Sequence, residues 1–201
     1  MNTQTKVTGV ILAGGQARRM NALDKGLVCY HGRPMVSYAI DALAGVAGQT
    51  IINANRNLDL YRQFGLPVIA DQTESFDGPL AGILSAMTHA DAGVLLVIPC
   101  DSPLIKAEHL QKLLSVREQN QADAAVAFDG ERVHPVFLAI KTSLVKTLRE
   151  YLDSGQRKLD RWLAQLKTVR ADFSETPGIF ININTLAELS ELERRAEEDS
   201  L

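Results

Sequence analysis

The sequence predicts an α/β fold, a mostly parallel sheet with helices on both faces, and three observations carry that reading. Short apolar runs alternate with segments of helical spacing along almost the whole chain, which is the pattern of βαβ units. The run at residues 7–12 and the later "VLLVIP" are continuously apolar, as strands covered on both faces should be. The 201 residues contain no internal repeat, low-complexity tract or linker, so residues 1–201 are expected to form a single domain.

Taken in order, apolar runs predict strands at residues 7–12, 50–54, 67–70, 94–98, 124–128, 136–140 and 179–183. Between and after them, apolar residues spaced by three and four predict helices at 35–46, 80–89, 107–118, 143–152, 159–166 and 186–196. The charged "ELERRAEEDSL" at the end is expected to fray.

Composition is ordinary for a globular chain, 46% hydrophobic and 22% charged. A formal net charge of -3 argues against a general binder of nucleic acid or anionic membranes, so any anion site must be local. Cys29 and Cys100 have no metal-like spacing and suggest no disulfide framework. The opening "MNTQTKVTGV" lacks the charged and apolar regions of a signal peptide, and no apolar run approaches the roughly 20 residues of a membrane span. A cytoplasmic location is expected.

In an open α/β sheet, ligands gather at the carboxyl ends of the strands, near the point where strand order reverses. The residues following each expected strand are therefore the candidates. After the first come Ala13, Gly14, Gly15, Arg18, Arg19, Asp24 and Lys25. Adjacent glycines let the backbone approach an anion closely, and the arginines and Lys25 add charge that suits a triphosphate. The stretch is neither the common P-loop nor the dinucleotide fingerprint, and from the glycines alone a turn with solvated charges fits equally well. In "PCDSP", two prolines bracket Asp101 at the end of a buried strand, where a hard oxygen ligand suits Mg²⁺. The competing reading is a helix N-cap near Leu104, a task Ser102 could fill without Asp101. "GPLAG", Gly78 to Gly82, reads as a helix opening with Pro79 in its first turn. Its N–H groups suit a ligand, and plain helix initiation suits the same residues. His31, His89, His109 and His134 show no paired metal spacing and read as surface or turn residues. Cys100 has no base partner in sight and reads as a small buried residue.

"LAGG", "ARRM", "DKGL", "NANR", "GPLAG", "CDSP" and "NINT" resemble, in order and spacing, the motifs of the molybdenum cofactor guanylyltransferases over residues 10–189. The resemblance implies a three-layer, Rossmann-like nucleotidyltransferase fold with a mixed, mostly parallel sheet. It implies transfer of GMP from GTP to the terminal phosphate of molybdenum-molybdopterin, with release of pyrophosphate. GTP would be bound by Leu12, Ala13, Gly14, Lys25, Asn53, Asp71 and Asp101, and the local readings above add Gly15, Gly78 and Gly82 to that set. Lys25, Arg19 and Asp101 would serve the chemistry, and Asp101 would hold Mg²⁺ as cofactor. The amino-terminal half would take the nucleotide and the distal half the pterin. Position alone makes Arg157, at an expected helix start, and Asn182 and Asn184, at the end of the last expected strand, its candidates. A solvated basic residue at a helix start fits Arg157 equally well. The expected protein partners load the pterin upstream and mature molybdoenzymes downstream; neither nucleic acid nor membrane is expected. Two residues depart from the family's usual pattern: Asn21 stands in place of a glycine, and "NTLAEL" lacks a proline. A cytidylyltransferase using CTP on the same pterin is the nearest rival. A sugar-1-phosphate nucleotidyltransferase typically carries extra C-terminal sequence, and a non-catalytic nucleotide sensor would need neither Lys25 nor Asp101.

Overall fold

Strand β1 (Val7–Leu12) sits at the centre of the molecule, with each face buried under a different helix layer. The structure, a computed structural model, describes residues 6–14, 24–72, 78–183 and 185–198. After β1 come a small hairpin, β2 (Cys29–Tyr30) and β3 (Arg33–Pro34), and helix α1 (Met35–Ala44). Next are β4 (Gln49–Asn53), α2 (Leu58–Arg62), β5 (Val68–Ile69), α3 (Pro79–His89) and β6 (Val94–Pro99). Then follow α4 (Ala107–Gln119), β7 (Ala124–Phe128), β8 (Val133–Lys141), α5 (Val145–Asp153), α6 (Leu159–Leu163), β9 (Thr168–Asp172) and α7 (Leu186–Glu198).

The seven-stranded sheet has the order β5-β4-β1-β6-β8-β7-β9. All its pairings are parallel except those of β8, which runs against β6 and β7. Alternation along the strands sorts the core into two layers, because successive side chains point to opposite faces. Ile11, Leu96 and Ile98 pack with Val36 and Leu43 of α1 and Leu110 and Leu113 of α4. Their neighbours Val10, Leu95 and Val97 pack with Leu80 and Ile83 of α3, Leu148 of α5 and Trp162 of α6. That is the expected three-layer α/β architecture. A third, smaller cluster joins Tyr30 and Met35 at the hairpin to Ile183, Leu189 and Leu192.

The expected strand at 179–183 is not one. Pro177–Phe180 forms a 3-10 turn, and residues 181–183 are extended without joining the sheet. The place beside β6 is already taken by β8, and the Ile183 N–H donates instead to the Asp101 carbonyl at 3.0 Å. The real last strand, β9, lies on the edge of the sheet, where "TVRAD" keeps only Ala171 buried. Its polar alternation hides it from a search for apolar runs.

The chain passes from β1 outward to β4 and β5, then returns to the other side of β1 for β6. The carboxyl ends of β1 and β6 therefore flank the point where strand order reverses, the expected ligand crevice of an open α/β sheet.

Candidate active site

Two clusters of side chains flank Leu12, whose register sets it between Asn53 of β4 and Pro99 of β6. In the first, Lys25 opens a 3-10 turn, Lys25–Leu27, and its Nζ lies 3.1 Å from Oδ2 of Asp101. Asp24 positions that turn. It is buried, and its carboxylate accepts hydrogen bonds from the Tyr61 hydroxyl at 2.6 Å and Asn57 Nδ2 at 3.0 Å. Arg56 Nε stands 3.5 Å from the same group, an ion pair outside hydrogen-bond geometry. A buried charge needs such partners, and these three anchor Asp24 at the head of the Lys25–Leu27 turn. Burial, reinforced by Cys100 and Asp24, pushes the Tyr61 hydroxyl well above its ordinary value, which keeps it a donor. Tyr61→Phe is expected to destabilise the protein by about 1–3 kcal/mol, since a carboxylate loses a buried donor while the ring remains. Thermal denaturation measures this, with a fall in Tm of roughly 2–10 °C expected at this chain length. An unchanged Tm would deny Asp24 its anchoring role.

Asp101 follows β6, is 8% exposed, and meets Lys25 through one carboxylate oxygen. Its neighbour Cys100 continues the strand pairing by donating its N–H to the Leu12 carbonyl at 3.1 Å. Burial and then the Asp101 and Asp24 charges push the Cys100 thiol well up, so it stays protonated and is no nucleophile. Ser102 does not cap a helix. Helix α4 begins only at Ala107 with Lys106 before it, and the Ser102 hydroxyl donates to Asn182 Oδ1 at 2.6 Å. The "NINT" segment thus reaches the rim beside Asp101 as expected, though not as the end of a strand.

The second cluster is built on Asn53, itself 2% exposed. Its Nδ2 donates to Asp71 Oδ1 at 2.9 Å, while Asn55 Nδ2 donates to Asp71 Oδ2 at 2.7 Å. Asn55 also accepts the Asp71 N–H at 2.9 Å, so the carboxylate is clamped from both sides. Only glycine fits at Gly82, where a Cβ would lie 2.3 Å from Asn53 Oδ1. Gly78 opens α3 at φ 65° and ψ -152°, a conformation closed to other residues at ordinary energies. Gly14 passes close by as well: a Cβ there would stand 3.0 Å from Asn55 Nδ2.

Of the residues singled out by sequence, the structure joins Lys25 with Asp101, and Asn53 with Asp71, Gly82, Gly14 and Leu12. Gly15, Arg19, Asn21 and Asn184 lie outside the described residues. Arg157 donates from Nη1 to the carbonyls of Leu152 and Gln156 at 2.7 and 2.8 Å, so its guanidinium serves the end of α5. Sequence reading missed the supporting set Asp24, Asn55, Asn57 and Tyr61. The run "NANRN" carried a signal, four polar residues of amide and guanidinium type directly after a strand, but their partners are remote in sequence.

Among the described residues, no group of three His, Cys, Asp or Glu side chains could form a metal cage. Asp101 therefore offers a single carboxylate. That donor set fits Mg²⁺, which commonly takes one or two carboxylates and completes its shell with water and phosphate oxygens. A cavity of about 640 Å³ lies at the opposite, amino ends of the strands, beside Val7, Gln49 and Val94, and contains none of these groups.

The fold, a phosphate-type rim at its switch point and a matching domain pattern together define the class. Residues 9–169 match the MobA-like NTP transferase domain, so this is a nucleotidyltransferase. The molybdenum cofactor guanylyltransferase of Shewanella sediminis is 46% identical over 180 residues, covering 90% of this chain and 92% of that protein. The one from Shewanella halifaxensis is also 46% identical over 180 residues, covering 90% of each. The chain belongs to the molybdenum cofactor guanylyltransferase family. The crystal structure of molybdopterin-guanine dinucleotide biosynthesis protein A from Archaeoglobus fulgidus shares the fold, with a TM-score of 0.80 at 23% identity over 95% of this chain and 99% of that one. The protein's role is nucleotidyl transfer in molybdenum cofactor biosynthesis. No helix among the described residues is long and apolar enough to cross a membrane.

Proposed function

We propose that this enzyme transfers GMP from GTP to the terminal phosphate of molybdenum-molybdopterin, using the rim formed by Lys25, Asp101, Asn53 and Asp71. The observation that carries this reading is the Lys25–Asp101 pair, preassembled at the crevice between β1 and β6. In the reaction, an oxygen of the acceptor phosphate forms a bond to the α-phosphorus of GTP. The bond from that phosphorus to the bridging oxygen breaks, and pyrophosphate leaves with the electron pair. A phosphate monoester is already largely ionised near neutral pH, so the step requires no strong base. Positioning and charge neutralisation are what it requires. Lys25 supplies a cation to the triphosphate, with Arg19 in the same role. Asp101 holds Lys25 in place and is the residue that would hold Mg²⁺. When bound, that ion would neutralise phosphate charge as pyrophosphate departs. The nucleotide occupies the amino-terminal half, against Leu12, Ala13, Gly14, Gly15, Asn53, Gly78 and Gly82. The pterin occupies the distal half, where Arg157, Asn182 and Asn184 remain its candidates.

Base selection falls to Asp71. Guanine presents N1–H and the N2 amino group side by side, two donors that one carboxylate accepts together, whereas cytosine offers acceptors at N3 and O2. The two asparagine donors use only part of the roughly four lone-pair positions of a carboxylate, and Asp71 is only partly buried. A site built on such groups penalises a base that leaves them unpaired. Asp71→Asn is therefore expected to lower the ratio of kcat/KM for GTP over CTP by about tenfold to hundredfold, beyond any common loss. Steady-state kinetics with GTP, CTP and ATP in parent and variant decide the matter. An unchanged ratio with uniformly lower rates would move Asp71 from the base to the ribose.

A further inference from the structure

The amino end of β8 carries an aspartate–histidine pair that the reaction described above leaves unused. His134 Nε2 lies 2.6 Å from Asp129 Oδ2. Asp129 is fixed by the N–H groups of Glu131 and Arg132, at 2.9 and 2.7 Å, on its other oxygen. Those bonds and the His134 contact hold its carboxyl well below the usual range, so it stays ionised. The imidazole stacks on Phe180, centroids 4.4 Å apart and planes at 19°, and meets the edge of Phe137. The β7–β8 pairing jumps at this point: Val126 faces Leu138, but Ala127 faces His134. Bulges of this kind re-aim a side chain. The other ring nitrogen of His134 has no partner among the described residues, and His134 lines a cavity of about 340 Å³ together with Arg132, Phe180 and Asn182.

That cavity lies on the β8 side of β6, away from β4. β8 runs antiparallel to β6, so its first residues come level with the carboxyl end of β6 and hence with Asp101. Asn182 links the two places, lining the cavity while accepting a hydrogen bond from Ser102, the residue after Asp101. The nucleotide cluster of Asn53 and Asp71 lies on the opposite side of β1.

We propose that His134, with Arg132 beside it, binds the terminal phosphate of the acceptor, and that Asp129 is its positioning residue. The inference rests on the proposed transfer to a phosphate-bearing pterin. The cavity's polar lining argues for a phosphate rather than the pterin ring. Arg132 is cationic and His134 brings a ring nitrogen, and the carboxylate nearby is already committed to four groups, with Arg132 Nε 3.5 Å away as the fourth. Phe180, the aromatic surface on which a flat ring would stack, is 3% exposed and covered by the imidazole. In its imidazolium form the ring keeps one N–H on the Asp129 carboxylate and directs the other N–H, in a fixed direction, at an anion.

Two variants test this by steady-state transfer to molybdenum-molybdopterin, with the KM of each substrate measured separately. His134→Ala is expected to raise the acceptor KM by about tenfold to hundredfold and to leave the GTP KM within about twofold. Asp129→Asn retains the ring stack and an oxygen for the two N–H groups, so it guards against a simple folding defect. It is expected to raise the acceptor KM by a smaller factor, again without moving the GTP KM. A purely structural role would instead lower Tm and shift both KM values together, and that result overturns the proposal. An unchanged acceptor KM in both variants also overturns it. If the parent enzyme itself fails to use GTP with this acceptor, the reading of the reaction is at fault.

Discussion

Asp101→Asn is expected to lower kcat/KM for nucleotidyl transfer by about a hundredfold to a thousandfold while the protein stays folded. The amide is nearly isosteric with the carboxylate, and the contacts that seat the loop are untouched. The Asp101 backbone carbonyl still accepts from Ile183, and Ser102 still donates to Asn182. What disappears is the charge that grips Lys25 and that would hold Mg²⁺. Lys25 is about one-quarter exposed, so the loss strands no buried cation and adds little instability. Thermal denaturation beside pyrophosphate-release kinetics separates the two effects. A variant with parental turnover would remove Asp101 from the chemistry.

Gly82→Ala is the second large effect, and here packing rather than charge is decisive. Alanine is the better helix former by about 1 kcal/mol, so an open site would gain stability. At Gly82 the new Cβ would fall 2.3 Å from Asn53 Oδ1 and 2.9 Å from Leu12 Cδ2. Asn53 is buried, and any movement strains its 2.9 Å bond to Asp71. The clash outweighs the helix preference, with a net loss of about 1–3 kcal/mol. Because the clamp on Asp71 loosens with it, the GTP KM is expected to rise by about tenfold or more. Gly48→Ala serves as the control, since its Cβ would meet only the Val7 carbonyl at 3.9 Å. Equal stability of the two variants would contradict the close packing of α3 on Asn53.

Much of this was legible in sequence where a local rule and a global one agreed. "VLLVIP" is apolar throughout because β6 is buried on both faces, and Asp101 follows from it directly. "PVIAD" and "NAN" end neighbouring strands, so Asp71 and Asn53 could be expected at one rim. What stayed hidden depends on contacts that no local pattern announces, most of them far apart in the chain. Tyr61 reaches Asp24 across 37 positions, and no periodicity announces it. His134 gave no motif because its partner is Asp129, its platform is Phe180, and a bulge aims it. The segment at 179–183 misled for a related reason. Its apolar residues suit a strand, yet the adjacent edge of β6 belongs to β8, and Ile183 is buried with α7 and the hairpin instead.

The central claim is that this rim moves guanylate, and one product assay addresses it most directly. Purified enzyme is given Mg²⁺, molybdenum-molybdopterin and each nucleoside triphosphate in turn, labelled at the α-phosphate. The account predicts that label from GTP enters a pterin dinucleotide with one pyrophosphate released per transfer, at a rate about a hundredfold above that with CTP. Equal or better incorporation from CTP, or release of pyrophosphate that does not require the pterin, would contradict it.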